Sequence, residues 1–530
     1  MMEIRIKSPP WPSGKASTTT VTPAASHPVD LLRDTHMRLC EADELRQHRK
    51  FDHAQKICES LIREHPGYMA AHHTLGLIHA AKRNFDRAFD HLSRAVMLNP
   101  RSWMTLTALA SVCLELRATD MAALALDQAR AIKPRDATVL VMLGEIYTQE
   151  HEFERAKEAF REAIALEDDL YAAIMGLGFA CEQLGQNAEA VELFKSLLKR
   201  GMSTLGVLLA FSSVPSAFIN VDLLAELDKL SANHYDKQEF EECAAFIRAR
   251  ALENAGRHEE AWQHLVPVNR AIFLAMQEDL RGSSQKQTAA LTALQGDRSE
   301  AVVISDSRQP ISLFILGPSR SGKSTMEQLV ATLDGVKRGY ENPSVEKAIR
   351  RTFQQANLLE SRRIGLHIGL LPPQLYPQCR DFYLEELAGR VGSARVFTNS
   401  NPSLIYEAQL MASVFPNVRF ILLRRNLEDT ILRMYQYRYR TGNAYSYDLK
   451  AARDYVVWYH QMIDLMAAKF PDIVRIINYE GMIANPAAAV HVAAELCGLS
   501  ATDGPPLPDV GDDRGCAKPY YDFIRAELSR

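Results

Sequence analysis

Ile311-Ser312-Leu313-Phe314-Ile315-Leu316 runs straight into Gly317-Pro318-Ser319-Arg320-Ser321-Gly322-Lys323-Ser324-Thr325, and that into Met326-Glu327-Gln328-Leu329-Val330-Ala331-Thr332-Leu333. The first run is short and apolar, as a buried parallel strand is, and the last reads as a helix. Between them lies a glycine-bounded loop ending in a lysine and two hydroxyls, the arrangement by which a chain cradles a phosphate. Backbone N–H groups of such a loop and of the helix N-terminus point at the anion, and the helix dipole favours its charge. Gly322 lets the backbone come close, Arg320 and Lys323 add charge-assisted bonds, and Ser324 and Thr325 add hydroxyls.

The loop leaves the anion's identity open. Its Gly-x4-Gly-Lys-Ser pattern formally fits a nucleoside-triphosphate loop, but enzymes of that kind also hold Mg²⁺ through an Asp, usually at the end of another strand. The strands expected next are Arg395–Thr398, Val418–Leu423 and Ile473–Ile477, ending in Asn399, Arg424-Arg425 and Asn478-Tyr479-Glu480. None ends in Asp. Two arginines at a strand's carboxyl end, beside the phosphate loop of a parallel sheet, suit a second phosphate better than a metal. Apolar runs alternating with helices from Ile311 onward predict an α/β domain over 311–500.

Upstream the chain repeats itself. Pro66, Pro100 and Pro134 stand 34 residues apart, with Asp168 next in phase. Ala54, Ala88, Ala122, Ala156 and Ala190 keep the same period, as do the small residues Ala42, Gly76, Ala110, Gly144 and Gly178. Phe51, Phe85 and Phe153 share another phase, which lapses to Thr119 and Asn187. This period resembles the tetratricopeptide repeat, two antiparallel helices per unit. Small residues are expected where helices approach closely, and the proline where the second helix stops. The repeats are expected over 31–200. A further helical, repeat-like region follows over 201–280, with Gly256 and Ala261 spaced as Gly185 and Ala190 are. The polar stretch 281–310 reads as a linker. Residues 1–30, with Pro9-Pro10-Trp11-Pro12 and Thr18-Thr19-Thr20, are expected to be disordered, and 501–530 form a C-terminal tail.

The α/β part resembles the sulfotransferases, and the chain from about Ala42 to Leu499 resembles bacterial tetratricopeptide-repeat sulfotransferases. Ser319-Arg320-Ser321-Gly322-Lys323-Ser324 stands where that family's loop binds the 5′-phosphosulfate of 3′-phosphoadenosine 5′-phosphosulfate (PAPS), followed by Glu327-Gln328 as in the family. Phe415–Val418 and Arg424–Thr430 resemble the strand and helix that bind the 3′-phosphate; Gly442–Leu449 and Asn478-Tyr479-Glu480-Gly481 match two further blocks. The resemblance implies that Arg320, Ser321, Gly322, Lys323, Ser324 and Thr325 cradle the sulfate-bearing phosphate, that Arg425 holds the 3′-phosphate, and that Tyr479 lies in the cofactor site. It implies a general base at Glu341, in Arg338-Gly339-Tyr340-Glu341, with Lys323 and Arg320 meeting charge on the bridging oxygen. Four departures stand out. Lys323 replaces a Thr, Ser400 a Lys, and Arg433 a Ser, an exchange that keeps phosphate binding open; no Gln-Val-Arg-like closing motif follows Leu499.

Composition excludes other classes. The chain has 530 residues, 61 Lys plus Arg against 65 Asp plus Glu, a net charge of -4, 47% apolar and 24% charged residues. That weak imbalance gives no reason for a nucleic-acid coat or an anionic membrane as partner. Eight scattered cysteines match no zinc or redox spacing and read as reduced thiols. No signal-peptide core or membrane-spanning run is visible, so a cytoplasmic protein is expected. His72-His73 has no spaced partner, Ser361-Arg362-Arg363 reads as a solvated turn, and the aromatics around His460 read as core. Tyr435, Tyr437, Tyr439 and Tyr445, interleaved with Arg438 and Arg440, read mostly as a packed face.

The expected architecture is α followed by α/β: a helical superhelix, then a P-loop-like parallel-sheet domain. The expected activity is PAPS-dependent sulfuryl transfer to a hydroxyl of a sugar or a protein tyrosine, without a metal, with the repeat groove taking a protein or peptide partner. A Mg²⁺-dependent kinase or NTPase and a non-catalytic scaffold are the alternatives.

Overall fold

The structure, a computed structural model, describes residues 28–296, 304–356, 358, 369, 371–439, 442–500, 507–508 and 510–529. Of the segment expected to be disordered, only 28–30 are described, and they open the helix Pro28–Gln47. Ser361-Arg362-Arg363 and Arg440 lie outside the described residues. Among the described residues no helix is long and apolar enough to cross a membrane. The chain divides into two compact units, one ending at Met202 and the other beginning at Ser203.

The first unit is a succession of helices packed in consecutive pairs, from Pro28–Gln47 to Asn187–Lys199. The in-phase alanines at 54, 88, 122, 156 and 190 are fully buried. The reason for the small residues is spatial: a Cβ on Gly76 would lie 2.6 Å from Leu92, one on Gly144 2.6 Å from Phe160, and one on Gly178 2.3 Å from Phe194. Helices Phe51–Glu64, Phe85–Leu98 and Thr119–Ile132 stop just before Pro66, Pro100 and Pro134. The turn inside each pair carries a left-handed residue at the same period: Arg49, Arg83, Arg117, His151 and Gly185. Each is closed by a six-residue backbone bond typical of helix C-termini, such as Lys50 N–H to Leu45 O (2.8 Å) and Asn84 N–H to His79 O (2.8 Å). His72, unpartnered in sequence, meets His91 at 3.3 Å; burial pushes His91 down to about 4.

The second unit is built on five parallel strands: β1 (Ile311–Leu316), β2 (Val336–Lys337), β3 (Val396–Asn399), β4 (Val418–Arg424) and β5 (Val474–Asn478). Their spatial order is β2-β3-β1-β4-β5, with Ile311 opposite Val396, Ser312 opposite Val418 and Phe420 opposite Val474. β1 is apolar apart from Ser312, whose Oγ accepts from Tyr383 Oη (2.8 Å), because both its faces are covered. Leu313 and Ile315 pack with Met326, Leu329 and Val490 on one side; Phe314 and Leu316 pack with Val345, Tyr383 and Phe415 on the other. The chain crosses from β1 to β2 on one side and, after β3, passes β1 to reach β4 on the other, so the carboxyl end of β1 opens on a crevice flanked by the ends of β3 and β4, where such sheets bind ligands.

The helices between Ser203 and β1 share the sheet's core. Lys237–Asn254 and His258–Ala275 form a pair with left-handed Gly256 in the turn, as in the repeats. Yet Trp262 packs on Tyr435 (5.4 Å between rings) and Asn269 Nδ2 donates to Tyr435 O (2.9 Å). Residues 281–295 of the stretch expected as a linker belong to a helix, Gln277–Gln295, whereas 304–310 are not helical, and Trp458 Nε1 donates to Gln287 O (3.1 Å). Its polar composition misleads because only a narrow stripe is covered: Leu294 buried, Leu280, Ala290 and Leu291 in part.

Candidate functional site

The loop after β1 ends in helix Lys323–Val330. Two of its residues, Arg320 (φ +65°) and Gly322 (φ +93°), are left-handed. Only glycine serves at 322, since a Cβ there would come 2.5 Å from the Tyr479 ring. Ser321 is fully buried, and its Oγ has no hydrogen-bond partner among the described residues. Lys323, 7% exposed, curls back so that Nζ donates to Pro318 O (3.2 Å). Burial pushes it down to about 8; Glu341 and Glu327 oppose that fall and Arg320 adds to it. Ser324 is exposed and Thr325 half-buried in the first helical turn. A buried hydroxyl without a protein partner, a desolvated ammonium and a helix N-terminus suit an anionic group of phosphate size.

Glu341 is brought to this loop by a clamp around Glu327. Tyr340 N–H and Thr398 Oγ1 donate to Glu327 Oε1 (2.9 and 2.5 Å), and Ser400 Oγ donates to Oε2 (3.4 Å). Arg338 stands 3.6 Å from Oε2. Gly339 presses against the end of β3: its N–H donates to Thr398 Oγ1 (2.9 Å), and a Cβ would lie 2.1 Å from Thr398 O. Ser400 N–H donates to Tyr340 O (2.7 Å), and Asn399 Nδ2 to Asn342 O (2.9 Å). Glu341 is therefore fixed from both sides. The residue as a whole is exposed, whereas its carboxyl is crowded by protein; that loss of water raises its pKa against the pull of Lys323. Nearby, burial pushes Glu346 up to about 7, with Asn401 Nδ2 donating to its Oε1 (2.7 Å).

Arg425, just past β4, adjoins the loop from the other side. Its Nη1 donates to Arg320 O (2.8 Å) and its guanidinium lies over the Tyr479 ring (4.4 Å). Its Nη2 donates to Asp513 O (2.8 Å) and Asp513 Oδ2 (2.9 Å). Arg433, in helix Leu427–Tyr435, forks onto the same carboxylate through Nη2 to Oδ1 (2.6 Å) and Nε to Oδ2 (3.0 Å). Arg433 Nη1 also donates to Glu253 Oε1 (2.8 Å). Burial works against the Arg433 charge, but Asp513 and Glu253 outweigh it and raise its pKa. Asp513 is likewise held below the ordinary carboxylate range by Arg433 and Arg425, in spite of its burial.

Thus the loop residues, Glu341, Arg425, Arg433 and Tyr479 converge on the carboxyl edge of the sheet. Three participants lack a sequence signal. Tyr437, read as part of a packed face, is 37% exposed and lies under the Arg320 guanidinium at 3.7 Å, whereas Tyr445 is buried and Tyr439 half-buried. Asp513 belongs to the tail, where no closing segment was expected. Asp429 anchors that tail, accepting Gly515 N–H (2.7 Å) and Ala517 N–H (2.9 Å). The signal that could have drawn attention to the tail is its alternation of charge and aromatics, Asp512-Asp513-Arg514 before Tyr520-Tyr521.

The sulfotransferase family model matches residues 310–503, and the tetratricopeptide-repeat model matches 40–102 and 141–203. A curated relative, protein-tyrosine sulfotransferase 2 of Gallus gallus, is 24% identical over 197 residues, 36% of this chain and 52% of that protein. The chain thus spans about half the length of the relative it matches. Similar solved structures include MamA of Desulfovibrio magneticus (19% identical, 32% of this chain and 97% of that one, TM-score 0.30). A tetratricopeptide-repeat protein of Thermus thermophilus is also similar (19%, 34% and 98%, TM-score 0.30). The chain joins tetratricopeptide repeats to a domain of the sulfotransferase family.

Proposed function

We propose that the second unit transfers a sulfuryl group from PAPS to a hydroxyl of a sugar or a protein tyrosine, and that the repeats recruit the acceptor or a partner protein. The observation that carries this reading is the clamp that ties the Glu341 segment to the helix of the phosphate loop, Tyr340 N–H donating to Glu327 Oε1 (2.9 Å), with the Lys323 and Arg320 charges acting on the Glu341 carboxyl. PAPS supplies an activated sulfuryl group. In the transfer the acceptor's O–S bond forms, the S–O bond to phosphate breaks, and the acceptor's proton passes to the Glu341 carboxylate. A carboxylate made more basic by crowding is better matched to that task at neutral pH. Lys323 and Arg320 face the charge left on the released phosphate oxygen, a role that partial desolvation strengthens. Arg425, joined to the loop through Arg320 O, holds the second phosphate.

The test is release of adenosine 3′,5′-bisphosphate from PAPS by the full chain, across a panel of tyrosine peptides and oligosaccharides. Acceptor-dependent release is expected. Lys323-Ser324 favours a second reading, a triphosphate site. Tight calorimetric binding of ATP with Mg²⁺, and none of the bisphosphate, would establish it in place of the first.

A further inference from the structure

Arg425 and Arg433 form an anion subsite next to the phosphate loop, and the chain's own tail is seated in it. Asp513 presents both carboxylate oxygens to the two guanidiniums, with three contacts of 3.0 Å or less, and Arg425 also takes Asp513's main-chain oxygen. Fork geometry of this kind is shared by carboxylate and phosphate. Charge is balanced locally: two arginines face Asp513 and Glu253. The pair therefore offers an incoming phosphate little net positive charge while Asp513 remains in place.

The tail is held in two separable parts. From Gly515 onward it is fixed chiefly by Asp429 on two N–H groups and by fully buried Ala517 and Tyr520, with Arg425 Nη2 adding only a long contact to Cys516 Sγ (3.6 Å). Asp513 lies before that anchor and its side chain is 36% exposed, so a solvent anion can reach it. Its neighbours Asp512 and Arg514 bond to each other and not to the subsite.

We propose that Asp513 is a specificity-determining residue: an internal carboxylate that competes with the nucleotide's second phosphate for Arg425 and Arg433. This rests on the reading of the loop as a nucleotide site given above. Binding of a bisphosphate then displaces Asp513, whereas a monophosphate bound at the loop leaves it in place. The native chain distinguishes adenosine 3′,5′-bisphosphate from adenosine 5′-monophosphate only weakly, because the second phosphate must replace an ion pair that already exists.

The experiment is calorimetric titration of the full chain and of Asp513→Asn and Asp513→Ala with both nucleotides, each variant checked by its unfolding transition. Expected is a rise of roughly tenfold or more in the ratio of bisphosphate to monophosphate affinity in the variants, in line with one charged hydrogen-bonded contact, with monophosphate affinity little changed. Hydrogen exchange should also quicken at 511–514 in the native chain on adding bisphosphate, and not on adding monophosphate. An unchanged ratio with both nucleotides bound overturns the competition while leaving the nucleotide site standing. Failure of either nucleotide to bind any of the three proteins overturns the site itself and the competition with it.

Discussion

Replacing Lys323 by Met should stabilise the second unit at neutral pH even as it weakens the site. Keeping the ammonium charged when burial has lowered it from 10.5 to about 8 costs on the order of 3 kcal/mol. Below pH 8 both folded and unfolded chains carry the proton, so the cost is felt in full. Between pH 8 and 10.5 the unfolded chain still binds a proton that the folded chain has lost, so native stability rises with pH there. Met fills a similar unbranched volume without charge, but forfeits the bond to Pro318 O, worth about 1 kcal/mol. The net expectation for K323M is a gain of roughly 2 kcal/mol at pH 7, shrinking to about zero by pH 10. Urea unfolding in a W11F/W103F background reads this directly, since Trp262 and Trp458 then report on the second unit. A difference between K323M and its parent that is the same at pH 7 and pH 10 would refute the buried-ammonium argument.

The remaining predictions concern the same edge of the sheet. E341Q should lower sulfuryl transfer by roughly a hundredfold or more and abolish the acid limb of the pH profile. That limb, set by a raised carboxyl, should lie above the ordinary glutamate range, and E346Q should leave it in place, which identifies the titrating group. Bisphosphate binding at pH 8.5 should take up most of a proton, because an anion beside Lys323 restores its charge; heats that do not vary with the buffer's ionisation enthalpy would count against it. G339A would force a Cβ against the immobile Thr398 O. It should cost about 1–3 kcal/mol and lower kcat more than bisphosphate affinity, as measured by unfolding, turnover and calorimetry together.

What the sequence disclosed followed from whether a signal was local. The strand, loop and helix at 311–333 occupy consecutive residues, so their pattern was readable; the strand lies where expected, and the helix runs over Lys323–Val330, starting three residues before the expected Met326. The repeats were readable because a spatial constraint recurs: Gly76, Gly144 and Gly178 each face one bulky side chain of the next helix. The left-handed turns at Arg49, Arg83, Arg117 and His151 share that period yet escaped notice, since those residue types do not announce a positive φ. Helix Gln277–Gln295 escaped because a stripe of few apolar residues is enough to seat it against Trp458 and its neighbours.

The missing part of the site is electrostatic, and it lacked a local pattern by necessity. A carboxylate that neutralises Arg425 or Arg433 needs only to arrive within 3 Å, and the chain delivers it from 88 residues away at Asp513 and from 180 residues away at Glu253. Neither acid has a fixed spacing to its arginine. Glu327 differs only in that its helix directly follows the phosphate loop. Placed on the first turns of that helix, it reaches the end of β3 and the arm bearing Glu341 at once. It thereby couples the loop that takes the anion to the carboxylate proposed to take the proton. Replacing Glu327 by Ala would leave Tyr340 N–H and Thr398 Oγ1 buried without that acceptor, at about 1–3 kcal/mol each. The clamp, more than any residue in the loop, is what holds Glu341 at the site.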